Sequence, residues 1–321
     1  MSNPGSTQGT THHLPADATI NRWDRSYPPA LVIEPGDTVV FETPEITKGQ
    51  LGPNSVSADL ATLDFDPIHQ ISGPVAIAGA EPGDTLIVEI VEVVPKDWAW
   101  TGVIPGFGLL AEDDVFQEPY LHIWDLTNGH SAEFKPGIVV PFEPFCGVMG
   151  VAPDENGTLT TIPPRRNGGN LDTRQLIKGA TAFFPVLATG ALFACGDVHA
   201  AQGDGEVCGS GLECQATVTL RFNLMKNHEM PEFAFRMPGA MTASWNTAGW
   251  MVTTAHGPDL HKNSQQAIRY MINYLGRAHG LTPAEAYVLC SACVDLKISE
   301  IVDAPNWIVS AALPLGIFQP K

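Results

Sequence analysis

Apolar and polar residues alternate along the chain with a period of two more often than three to four, so the pattern predicts strands before helices. The clearest case is 212–224. Leu212, Cys214, Ala216, Val218, Leu220, Phe222 and Leu224 share one face, while Glu213, Thr217, Thr219, Arg221 and Asn223 share the other. That is the signature of a half-buried strand. Shorter apolar runs predict strands at 30–33, 38–42, 74–78, 85–89, 182–187 and 190–195. Two of the intervening turns repeat the same residues, Glu34-Pro35-Gly36-Asp37 and Glu81-Pro82-Gly83-Asp84. Proline pre-sets φ and glycine accepts positive φ, as a type II turn requires.

The period changes near the C-terminus. Ala267, Ile268, Met271, Ile272, Leu275 and Ala278 recur every three to four residues, predicting a helix over 264–279 that Gly280 stops. Thr282-Pro283-Ala284-Glu285 then reads as a capping box with proline in the first turn, starting a second helix that should run to about Leu296. The fold class is mainly β, α+β overall: several small β-barrel or β-sandwich subdomains with a C-terminal helical hairpin. The expected organisation is an N-terminal arm over 1–29, β-rich subdomains over 30–165, and a β-rich catalytic part with an α+β end over 166–321, together one compact unit.

Composition narrows the picture. Glycine and proline, 31 and 27 of 321 residues, are too frequent for a helix bundle. The formal charge of −18 opposes nucleic acid and anionic membrane surfaces, so neither is expected as a partner. No apolar stretch reaches membrane-spanning length, and no secretory leader is visible. Six cysteines, four of them in apolar runs, read as reduced buried thiols. A soluble cytoplasmic protein is the expectation.

Candidate chemistry concentrates in Cys195-Gly-Asp197-Val-His199-Ala-Ala-Gln-Gly-Asp204-Gly-Glu206-Val-Cys208, between two apolar strands. Asp197 and His199, two apart, share a side on an extended backbone, and glycines 203 and 205 allow a sharp reversal that returns Glu206. One imidazole and two or three carboxylates converging at a strand end suit Zn²⁺ or a similar divalent ion; an ordinary polar hairpin is the plainer reading. The acids and the lack of lysine argue against a phosphate loop. His69, just before a strand, and Asn167-Gly-Gly-Asn170-Leu-Asp172 are weaker candidates, each as readily a hydrogen-bonded loop. Cys146 is a candidate nucleophile without an obvious activating neighbour.

Taken in order, Pro35-Gly-Asp-Thr-Val39, His69-Gln-Ile-Ser-Gly-Pro74, Gly79-Ala-Glu-Pro-Gly-Asp84, Gly147-Val-Met-Gly-Val-Ala-Pro153, Gly168-Gly-Asn-Leu-Asp172 and the run 196–206 resemble the acetamidase/formamidase family over nearly the whole chain. The last run is the most specific. The resemblance implies hydrolysis of short aliphatic amides, of the formamide and acetamide type, to acid and ammonia, by a homo-oligomer. Carried onto this sequence, it implies His69, Asp197 and His199 as metal ligands, Zn²⁺ first among the metals, and Glu206 as the proton shuttle. Asn170, Asp172 and Asp204 would then contact the substrate amide or the ligands, with an exchange of roles between Asp204 and Glu206 left open. Two alternatives stand beside this reading: a non-catalytic metal-binding β-barrel protein, and a thiol-dependent amidase.

Overall fold

The structure, a computed structural model, describes residues 9–319. The fold is mainly β, α+β overall, as expected: thirteen strands join in one sheet network beside three small sheets, and the expected barrels are missing, with no closed barrel among the described residues. The physical reason is the length of two strands. Thr85–Val103 and Glu213–Met225 pair antiparallel along most of their length, and Thr38–Thr43, Phe193–His199 and Thr181–Pro185 dock on this spine. Strands from both sides of residue 165 therefore interleave.

Alternation along Glu213–Met225 is observed as expected: Cys214, Ala216, Val218, Leu220 and Phe222 are buried, and Gln215 and Arg221 are exposed. Beneath this face the rings of Phe41, Phe184, Phe193 and Phe222 meet at steep angles, with centroids 5.1–6.3 Å apart. Such burial, at ~25 cal/mol per Å² of apolar surface, is the main driving force for the sheet. Of the arm expected over 1–29, residues 1–8 lie outside the described residues. Beyond them Thr11–Leu14 pairs parallel with residues 38–41, which ties this stretch to the sheet.

The twin turns have the same construction. Gly36 and Gly83 take φ of 102° and 94°. Asp37 and Asp84 accept hydrogen bonds from the amides of Glu34 and Glu81, at 3.1 and 2.9 Å. The fourth residue of the motif thus closes the turn with its side chain. Burial opposes ionisation of both carboxyls, but hydrogen bonds from His12 and two backbone amides on Asp37, and from Lys226 and two amides on Asp84, outweigh it and lower both pKa values. The folded state therefore binds these protons less tightly than the unfolded chain. Their stabilisation is complete above about pH 4 and fades as acid protonates them. Asp84→Asn should cost roughly 1.5–3 kcal/mol at pH 7, and the gap to wild type should shrink by pH 3. Urea unfolding of both proteins at the two pH values checks this; a gap of constant size contradicts it.

The helical hairpin is present. Helix α1 (Leu260–His279) begins on an Asp259 cap and ends at Gly280, whose φ is 68°. Helix α2 (Pro283–Cys293) has the expected capping box between Thr282 and Glu285. It stops three residues before the expected end, because Val294 is extended and Asp295–Glu300 forms the edge of a three-stranded sheet with Trp307–Pro314 and Trp250–Gly257. The other face of α2 backs the polar loop. Ser291 Oγ donates to the Ser210 carbonyl and accepts from the Cys208 amide, and the Ser291 carbonyl accepts from the Gly203 amide. A Cβ on Gly203 would sit 2.1 Å from the Val294 oxygen, so this residue is glycine because the chain behind it leaves no room.

Candidate active site

Two adjacent antiparallel strands and three loops deliver the polar side chains. In Phe193–His199, His199 faces Glu213 across the ladder, and Phe145 faces His199 from the other side. His199 Nε2 lies 3.0 Å from Glu213 Oε2, 3.4 Å from Asp197 Oδ1 and 3.9 Å from Glu206 Oε1. His69 Nε2 lies 3.9 Å from Asp197 Oδ2. The Asp172 carboxyl lies close enough to Glu206 for the two charges to repel. The side chains of His199, Asp197 and Glu213 are 0%, 4% and 3% exposed; Glu206, at 17%, opens onto a cavity.

Several local features force this convergence. Asp172, Asp197 and Glu206 all have positive φ, of 42°, 54° and 43°, three of the seven non-glycine residues that do so among those described. Side chains other than glycine disfavour that region, and such outliers gather where function over-determines the backbone. Gly147 forms the floor: a Cβ there would stand 2.6 Å from Asp172 Oδ1 and 2.7 Å from Asp197 Oδ2. The Gln202 side chain links the parts, since its oxygen accepts from His199 Nδ1 at 2.7 Å and its amide donates to the Asp172 carbonyl. His199 Nε2 is then the free ring nitrogen.

The electrostatics are those of too many acids in too little water. Burial raises Glu206 and Glu213 to about 8 each, with Asp197 adding repulsion and His199 opposing. Burial, then Glu206 and Asp197, push Asp172 well up. Burial disfavours charge on His199, but Glu213 and Asp197 overcome it and hold its pKa well above the usual imidazole value. Burial also works against Asp197, yet His69 and His199 keep it ionised, well below the ordinary range. His69 itself is lowered by burial. His69 Nδ1, Asn170 Oδ1, Asp172 Oδ1, His199 Nε2 and Glu213 Oε2 are buried without any hydrogen-bond partner. Orphans of this kind are rare and costly. Two overlapping donor groups, Asp172–Asp197–His199 and His199–Glu206–Glu213, each have their atoms within 4.8 Å of one another, as a metal site requires.

Of the residues singled out from sequence, Asp197, His199, Glu206 and Asp172 meet in this cluster, and His69 and Asn170 line its cavity. Asp204 points elsewhere. Gln175 Nε2 donates to it at 2.8 Å, and Lys297 stands 3.7 Å away. Sequence patterning misses Glu213, because the alternation of its strand assigns it to the polar face; at this end of the strand that face is the site. Cys146 is 2% exposed and lies in the strand Phe145–Gly150, and all six cysteines are buried and unbridged.

The cluster closes one end of a cavity of about 420 Å³ whose walls include Ile46, Ile68, Trp100, Ile104 and Phe107. An apolar pocket with a few convergent titratable groups defines a small-molecule enzyme. The model of the acetamidase/formamidase family matches residues 8–160 and 154–320. The chain belongs to this family and is an amidohydrolase. It is 28% identical to an acetamidase of Mycolicibacterium smegmatis over 84% of each chain. It is 29% identical to a formamidase of Methylophilus methylotrophus over 93% of this chain and 89% of the relative. Its fold superposes on a gamma lactamase from Delftia acidovorans with a TM-score of 0.87 and 27% identity, covering 95% of this chain and 90% of the other. No helix among the described residues is long and apolar enough to cross a membrane.

Proposed function

We infer that the chain hydrolyses small primary carboxamides, such as formamide and acetamide, to the acid and ammonia at this cluster, with a divalent cation held there. The observation that carries the reading is the set of five buried, unpartnered polar atoms on His69, Asn170, Asp172, His199 and Glu213. Four carboxylates and two imidazoles in one buried volume are mutually destabilising without a compensating positive charge. The donor set fits such a charge: Asp197 and His199, with His69 at the cavity edge, would hold it, and Glu213 and Asp172 stand within reach of the same space. Oxygen and imidazole donors suit Zn²⁺ first. The cation would supply Lewis acidity, polarising a carbonyl oxygen and bringing the pKa of a water towards ~7.

The rest falls to the protein. The Asn170 Oδ1 atom, buried and facing the cavity, accepts from the substrate's NH₂ and fixes which end of the amide turns inward. Glu206, whose proton affinity burial raises, is placed to take a proton from the attacking water and return it to the departing nitrogen. Burial and the neighbouring Glu206 charge both oppose ionisation of Asp172, so the pair favours keeping a proton at this end of the site. Asp204, bound to Gln175, holds the bend that carries Glu206 and is a positioning residue in this scheme. A thiol mechanism is disfavoured: Cys146 is 2% exposed, and burial pushes Cys208 up to about 11. The six unbridged cysteines support a cytoplasmic location, and a homo-oligomer belongs to the same proposal.

The test is ammonia release from formamide and acetamide. Release should survive treatment with the thiol reagent N-ethylmaleimide and stop on chelation. Inactivation by the alkylating reagent together with indifference to chelator overturns the scheme in favour of a thiol enzyme.

A further inference from the structure

The cavity is larger and more apolar than formamide or acetamide needs. Its volume, about 420 Å³, falls within the ~300–1,000 Å³ range of sites that enclose drug-sized ligands. The reacting end is fixed by Asp197, Glu206, Glu213 and Asn170, which all lie on its lining. A carboxamide oriented there sends its acyl group towards Trp100, Ile104 and Phe107, and a one-carbon group would leave that space to water.

The wall is set in place before any ligand arrives. Trp100 is 3% exposed, and its indole N–H donates to Glu45 Oε1 at 3.0 Å, while Glu45 Oε2 accepts from the Thr47 amide and hydroxyl. The loop carrying Ile104 and Phe107 is tied down behind the cavity. The Leu109 amide donates to the Val207 carbonyl at 2.9 Å, and the Leu110 amide to the Tyr287 hydroxyl at 2.8 Å. Gly209 leaves room for the Phe107 ring, which a Cβ there would meet at 2.5 Å. At the mouth stand Phe65, Phe107 and Ile162, 43%, 44% and 37% exposed. Phe65 and Phe107 are the only strongly exposed phenylalanines among the described residues, and both border this one opening. Large apolar groups held at a rim in this way are contact surface for a ligand's apolar body.

We propose that the preferred substrate is a primary carboxamide whose acyl group is a compact apolar ring, cycloaliphatic or aromatic, seated between Trp100, Ile104, Phe107 and Ile162. This rests on the amidase reading above and names the substrate for it. Each methylene buried in such a pocket is worth about 10–200-fold in specificity, with incomplete burial giving less.

The experiment compares acetamide, benzamide and cyclohexanecarboxamide with the protein as purified, by ammonia release and by calorimetric binding. The ring amides should exceed acetamide at least 100-fold in kcat/KM, chiefly through KM, and bind at least 100-fold tighter. Ile162→Trp, which fills the mouth, should lower the cyclohexanecarboxamide-to-acetamide ratio at least tenfold. Ammonia release that favours acetamide or is equal for all three overturns the ring preference and leaves the amidase reading intact. No ammonia from any amide overturns the amidase reading, and the calorimetric ratio still decides the ring preference: equal affinities for acetamide and the ring amides overturn it.

Discussion

Glu206→Gln should lower kcat for acetamide hydrolysis by about 10²–10⁴, the range expected for loss of a general acid–base group, while the bound metal stays near the wild-type level. The substitution keeps the size and shape of the side chain and removes its titration. It acts at a carboxyl whose ionisation burial opposes, the environment that readies an acid for proton transfer. The cation would remain because Asp197, His199 and His69 are untouched. The measurement is kcat by ammonia release beside metal analysis of the same preparation. Near-normal turnover would remove Glu206 from proton transfer. Loss of metal and activity together would make Glu206 a ligand, which its 3.9 Å distance from His199 Nε2 also bears upon.

Gly147→Ala should be nearly as damaging, although it adds a single methyl group and no charge. That methyl would stand 2.6 Å from Asp172 Oδ1, 2.7 Å from Asp197 Oδ2 and 3.0 Å from the Asp197 carbonyl. Contacts so short cannot persist. The neighbours are backbone and two buried carboxylates, none of which has slack to give. Displacing reacting groups by about 1 Å costs on the order of 10² in rate, so a loss of at least that size in kcat/KM is expected. Far-ultraviolet circular dichroism should stay like wild type, because Gly147 sits in the strand Phe145–Gly150 and alanine leaves the ladder's backbone bonds intact. An Ala variant with full activity would mean that the cluster has a looser geometry than described.

Much of this was legible in the residues. The period-two alternation of 212–224 locates the central strand, and the two proline-glycine turns mark where its ladder partners Thr38–Thr43 and Thr85–Val103 begin. Thr282 and Glu285 mark the start of α2 to the residue. Local chemistry fixes those features, so local reading finds them. The union of the sheet was not legible, because pairing between residues such as Val218, Val93 and Phe41 is set by tertiary contact and not by sequence neighbours. The site divides along the same line. Asp197, His199 and Glu206 stand out because they lie together in one polar run. Glu213 hides in a strand where charge on alternate positions is ordinary, and only its register opposite His199 gives it away. Asp204, two residues before Glu206 in the same polar run, is just as conspicuous in the sequence; positive φ at Gly205 and Glu206 turns the two acids in different directions.

The central claim is that the buried acids and imidazoles around His199 hold a divalent cation on which amide hydrolysis depends. Metal analysis of the purified protein, followed alongside ammonia release during stepwise chelation and restoration, tests it most directly. A tightly bound divalent ion, with activity falling and returning in proportion to its content, is the predicted result. Full activity in protein stripped of metal would contradict it.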